Sequence, residues 1–298
     1  LKTNYRHDYF GKLYSYATSL NKIIMLIATF AYGLLLDHDN YAFTYVFPVI
    51  GILGVASLFV LSNIDYSRVI QHPEALKFMA SIRHSFLNMV NILKINKPYR
   101  HFEIGFMLYG FSFMISVTII NIFFQDALHL NYSSVAFYKN AYNILAILLL
   151  PFFGKLLSRL DPRRFAAITF AALFMYILFL LITEFVPGYT ELFGIKIYYM
   201  LLISFGFYGI FAATMALVWF IGSAYFCKPE EADDYQSIHL SLTGVRSLFA
   251  PLFGVYFYEL MGFTGTFVLT LMVLLAAMAL MRWSYRRDKL TKMRYEKN

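Results

Sequence analysis

Apolar stretches of near-spanning length recur along this chain, at residues 17–28, 42–64, 104–124, 137–157, 165–186, 197–226, 236–259 and 263–282. A bilayer core about 30 Å thick is crossed by roughly 20 mostly apolar helical residues. The pattern predicts an all-α membrane protein, a polytopic bundle with eight transmembrane helices. Charged residues are 14% of the chain, against about 25% in soluble domains, so no sizeable soluble domain is expected. The net charge of +8 does not point to nucleic acid, because the basic residues cluster beside the spans. The lone Cys227 excludes an intramolecular disulfide and any cysteine-based metal site. No P-loop, H-E-x-x-H or G-x-S-x-G motif is present, so neither a cofactor nor a metal is expected.

Lys and Arg in short loops set orientation. The N-terminal stretch holds Lys2, Arg6 and Lys12, and the 37–40 loop holds neither residue type. The long 65–101 connection holds Arg68, Lys77, Arg83, Lys94, Lys97 and Arg100, and the next loop holds none. Lys155, Arg159, Arg163 and Arg164 follow, and the tail is basic from Arg282 onward. Only the 227–235 loop, with Lys228 alone, fits weakly. The alternation predicts an integral multi-pass protein of a cytoplasmic membrane, with both termini of this chain cytoplasmic. The same basic loops are expected to touch anionic lipid. Composition hints at a bacterial source.

Residues 73–94 read as an amphipathic helix, with Leu76, Met79, Ile82, Phe86, Met89, Val90 and Leu93 on one face. Such a helix lies on the membrane surface. It leaves two spans before it and six after it. With a start at Leu1, that division predicts four further spans upstream. His239 is expected at the membrane interface. Asp37, Glu103, Asp126, Glu184 and Glu259 are expected near span ends, so no acid is expected at the midplane.

Between the fourth and fifth spans the chain reads Gly154-Lys155-Leu156-Leu157-Ser158-Arg159-Leu160-Asp161-Pro162-Arg163-Arg164. This resembles the cytoplasmic loop signature of the major facilitator superfamily, with Ser158 and Asp161 at positions where that pattern has Asp and Gly. The stretch Gly244-Val245-Arg246 to Ala250-Pro251-Leu252-Phe253-Gly254 resembles a pattern of the family's eleventh helix. The resemblance implies helices five to twelve of a carrier. Residues 1–64 would be the last two helices of the N-terminal half and 65–101 the central loop. Residues 102–282 would be the C-terminal six-helix half and 283–298 a basic tail. It also implies a secondary transporter that moves a small-molecule solute by alternating access.

Polar side chains at bilayer depth usually face the bundle interior or a watery cavity. Asn121 and Gln125 share a face of the third span, and Lys139, Asn140 and Asn143 open the fourth. These five are candidate substrate-binding residues. Lys139 either draws an anion or extends to the interface, and the Asn residues either bind solute or bond between helices. Trp219 either lines the cavity or packs. Gly154, Arg159, Arg163, Arg164, Arg246 and Pro251 are candidate gating residues. Arg246 reads as a gate, an internal salt bridge or a side chain reaching for the interface. A coupling ion, H+ or Na+, is a possible partner. The alternative function is an eight-span membrane enzyme or receptor-like protein without transport activity.

Overall fold

The computed structural model describes residues 7–63, 78–228 and 231–295. The front of the central loop, the first six residues and the last three lie outside the described residues. Helices dominate: α1 (His7–His38), α2 (Phe43–Ser62), α3 (Phe78–Ile95), α4 (Lys97–Ile122), α5 (Tyr132–Leu157), α6 (Pro162–Phe185), α7 (Tyr199–Ile221) and α8 (Ala232–Tyr295). Among the described residues six helices are long and apolar enough to span a membrane. The last of these is α8, which breaks at Gly262 with φ 68° and ψ −168°. That backbone region is essentially restricted to glycine. The break turns one 64-residue helix into two arms, where the sequence suggests a loop near 260–264. The helix runs on through Pro251.

The chain divides into two compact units. The first comprises residues 1–82 and 131–140. In it, α1 and the start of α5 approach closely. A Cβ on Gly33 would lie 2.9 Å from the Ala136 Cβ, as small residues permit between membrane helices. Asp37, at the end of α1, accepts the backbone N–H groups of Tyr132 and Ser133 at 2.7 and 2.8 Å. It therefore caps the N-terminus of α5, satisfying two donors that the helix itself cannot. No residue of α2 is buried; a helix apolar all round suits hydrocarbon.

The second unit comprises residues 83–130 and 141–298. Here α4 lies along α8, and α6 packs on both α7 and α8. Its core is aromatic, with Phe102, Phe106, Phe123, Phe165, Phe170 and Phe267 all buried. Asn96 starts α4 by accepting the Tyr99 N–H at 3.1 Å, with Pro98 in the first turn. The helix thus begins seven residues before the apolar stretch that signals it. At its far end α4 widens into a π-turn, Phe123–Ala127. A short hairpin, β1 (Tyr189–Leu192) and β2 (Ile195–Tyr198), precedes α7. Its turn places Phe193 and Gly194 at φ 52° and 76°, the paired positive φ of a two-residue hairpin loop.

Candidate functional site

Two turns into α4 and two turns into α8, a carboxylate meets an imidazole inside the protein. Glu103 and His239 side chains are 3% and 2% exposed, and His239 Nδ1 lies 3.1 Å from both carboxylate oxygens. A hydrogen bond between the two requires a proton on Nδ1 or on the carboxylate. His239 Nε2 is buried with no partner among the described residues. Rings enclose it: Phe106 lies edge-on at 4.9 Å and Trp219 at 4.7 Å. The imidazole thus presents one nitrogen to an acid and the other to an apolar wall.

Seven residues further along each helix comes a second contact. Arg246 on α8 is 2% exposed, and its Nη1 donates to the Phe106 carbonyl of α4 at 2.8 Å. Its guanidinium lies on Gly110, where any Cβ would overlap it. Arg246 Nε has no partner among the described residues. Glu103 and Arg246 also line an open cavity of about 580 Å³. The rest of its wall is Arg100 and the apolar residues Leu93, Ile104, Met107, Leu108, Phe111, Leu242 and Phe249.

A separate cluster forms where α5 turns into α6. Asp161 caps α6, accepting the Arg163 N–H at 2.9 Å. The same carboxylate holds the Arg163 side chain through Nε and Nη2, both at 3.0 Å. Arg163 Nη1 donates to Ser284 at 3.0 Å and to Asp288, both on α8. Ser284 in turn lies 3.0 Å from His101 Nδ1 on α4. Arg164 stacks over Tyr285 at 5.3 Å. The signature loop thereby ties three helices together.

The chain as a whole matches the sequence profile described as Major Facilitator Superfamily, over residues 3–218 and again over 102–297. The chain belongs to the major facilitator superfamily. It is a membrane transporter of the major facilitator type, integral and multi-pass, built as a helical membrane bundle. Comparison with curated proteins and with solved structures gave no match.

Within this facilitator the residues singled out by sequence fall into different surroundings. Trp219 touches the buried pair through His239. Asn121 and Gln125 are exposed, and Asn121 Nδ2 donates to its own helix at Val117 O, 3.1 Å away. They stand roughly 27 Å or more along α4 from Glu103, at 1.5 Å per residue. Lys139 is exposed and Asn143 half-buried on α5. Asn140 donates to the Leu26 carbonyl of α1 at 3.2 Å, a bond between helices. Among the gating candidates, Arg163 and Arg246 are buried, Arg159 and Arg164 are exposed, and Gly154 and Pro251 are half-buried.

His239, expected at the membrane interface, is buried within the protein against Glu103. Glu103 lies near a helix end as expected, yet it is buried. No local signal marked either residue, because both lie near span ends on helices far apart in sequence and only their packing brings them together.

Proposed function

We propose that this protein is a proton-coupled secondary carrier that moves a small solute by alternating access. The observation that carries the reading is the buried Glu103–His239 pair with its open Nε2. Ionisable groups inside a membrane bundle are costly and mark proton or substrate pathways. A proton can rest on Nε2 or on the carboxylate, and either position changes the balance with Arg246. On this reading residues 1–64 close one six-helix half, 65–101 form the central loop, and 102–282 make the other half. Both termini of the chain are cytoplasmic. Asp37 capping α5 is then a contact between halves on the outer side, and the Arg163 cluster braces the inner side of the second half. Asn121, Gln125, Lys139 and Asn143 line the outer part of the solute path, and Trp219 lines the path beside the pair.

The test is uptake of a panel of radiolabelled sugars, amino acids, peptides and organic anions into vesicles carrying the protein and an inside-alkaline gradient. Uptake of at least one solute should collapse with a protonophore and in Glu103→Gln. Uptake insensitive to both would overturn proton coupling. Uptake of no solute at all would favour the receptor-like or enzymatic alternative.

A further inference from the structure

We infer that the hairpin between α6 and α7 is a lipid anchor. One of its faces, Leu192, Ile195 and Ile197 with Phe193 at the tip, seats in the headgroup boundary of the bilayer beside those two helices. The inference is independent of which solute the protein moves and of how that movement is coupled.

The ladder sorts the hairpin into two unlike faces. Tyr189 pairs with Tyr198, Thr190 with Ile197, Glu191 with Lys196 and Leu192 with Ile195. Directly opposed side chains share a face, and successive residues alternate. One face therefore holds Tyr189, Tyr198, Glu191 and Lys196, and the other holds Thr190, Ile197, Leu192 and Ile195. The first is pinned to the protein. Tyr198 Oη donates to the Leu128 carbonyl at 2.9 Å, and Lys196 Nζ to the His129 carbonyl at 3.1 Å. The Tyr189 and Tyr198 rings lie 4.9 Å apart on the same side. Both charges of the hairpin belong to this face. The second face carries no charge, and its one polar side chain, Thr190, shares a hydrogen bond with the Tyr199 hydroxyl.

Phe193 shows that the second face has an apolar occupant. It is 95% exposed, and its φ of 52° is an outlier for a bulky residue. Asn or Gly usually fills that turn position. An aromatic ring is held there against both backbone strain and water, and contact with apolar matter offsets both. The surroundings point to lipid. Phe185 and Val186, where α6 ends, and Tyr199, Leu202 and Ile203, where α7 starts, are all exposed. In an integral membrane protein such helix surface meets lipid, and the uncharged hairpin face continues it where the spans end. Aromatic and aliphatic side chains opposite a charged face are the pattern of interfacial segments. A second copy of the chain, or another protein, fits less well. A stable interface buries about 800 Å² per partner. Four side chains do not reach that, since Ile195 and Ile197 are already half-buried.

Spin-label accessibility tests the anchor on the whole chain in phosphatidylcholine nanodiscs. Phe193→Cys and Glu191→Cys, each combined with Cys227→Ser, carry a nitroxide on the tip and on the charged face. Oxygen concentrates in the bilayer, whereas a nickel chelate stays in water. The ratio of oxygen to nickel relaxation should be several-fold higher at position 193 than at position 191. Equal ratios would place the tip in water and overturn the inference. Protection of position 193 from both reagents would overturn it too, by assigning the tip to a protein contact. A second measurement uses the unmodified chain and decides the matter if Phe193→Cys does not fold. Photolysis with a phosphatidylcholine bearing a diazirine near its headgroup should leave adducts on Leu192, Phe193 and Ile195, read by mass spectrometry. Adducts on α6 and α7 with none on the hairpin would overturn the anchor.

Discussion

His239 and Glu103 face each other across α8 and α4 with Nδ1 3.1 Å from both carboxylate oxygens, and neither side chain is more than 3% exposed. Removing one member strands the other without water. Breaking such a pair costs about 3–5 kcal/mol, whereas replacing both by apolar residues is often neutral. Glu103→Ala should therefore lower the thermal unfolding temperature more than the double variant Glu103→Leu/His239→Leu. Equal loss in the two, measured in the same detergent, would show that the pair holds no buried charge.

Gly110 gives Arg246 its place, because a Cβ there overlaps the guanidinium. Gly110→Ala should push the guanidinium off α4 and break its 2.8 Å bond to Phe106 O. Overpacking of this kind costs about 1–3 kcal/mol. Arg246→Ala/Gly110→Ala should then be no less stable than Arg246→Ala alone. Differential scanning calorimetry of the set checks the coupling.

Asp288 and Asp161 share the guanidinium of Arg163. Arg163→Gln and Asp288→Asn should each destabilise, and their effects should not add. Residues in one hydrogen-bond network give interaction energies of about 0.5–3 kcal/mol in double-mutant cycles. A strictly additive cycle would mean that the contact contributes nothing. Arg163→Lys should fall between, because an ammonium cannot make the bidentate contact with Asp161.

Asp37 caps α5 through the N–H groups of Tyr132 and Ser133. Loss of a helix cap costs about 0.5–2 kcal/mol. Asp37→Ala should show that loss, while Asp37→Asn, which keeps one acceptor but turns an NH2 toward the second N–H, should recover only part of it. Equal loss in both would point to the charge itself.

Cys227 is the chain's one thiol. Burial raises its pKa above the ordinary thiol value, and the Glu231 carboxylate raises it further. The thiolate is the reactive form, so iodoacetamide should label Cys227 more slowly than a free cysteine at pH 8. The rate should keep climbing at pH values where a free thiol has levelled off. Glu231→Gln should lower the pKa and speed labelling at pH 8. No change in that variant would remove Glu231 as a cause.

The bundle was legible because spanning helices announce themselves locally. Runs such as 42–64 and 165–186 are apolar over a bilayer's thickness, and a loop such as Gly154 to Arg164 carries its own pattern. Helix ends were less legible. Asn96 starts α4 through a cap and not through hydropathy, so the span begins earlier than its apolar stretch. The hairpin at 189–198 leaves no hydropathy signal, because its two strands are only four residues each.

The candidate site was legible only in part. Arg246 stood out as a charge inside an apolar run, and Trp219 as a large ring. Glu103 and His239 looked like ordinary residues near span ends. Their helices, α4 and α8, are more than a hundred residues apart in sequence, and hydropathy along one helix carries nothing about which other helix it meets.

The sequence by itself determined that this chain crosses a membrane repeatedly and that its polar interior groups are few, because hydrocarbon admits only long apolar helices with satisfied backbones. Tertiary structure alone decided which of those polar groups share a wall. The close approach of α4 and α8, with Gly110 under Arg246 and Gly254 within 2.8 Å of Ile115 O for any added Cβ, is a property of two surfaces fitting together. Apolar attraction is non-directional, so it drives burial without choosing partners. The choice falls to packing shape and to the few polar bonds that only one arrangement can satisfy.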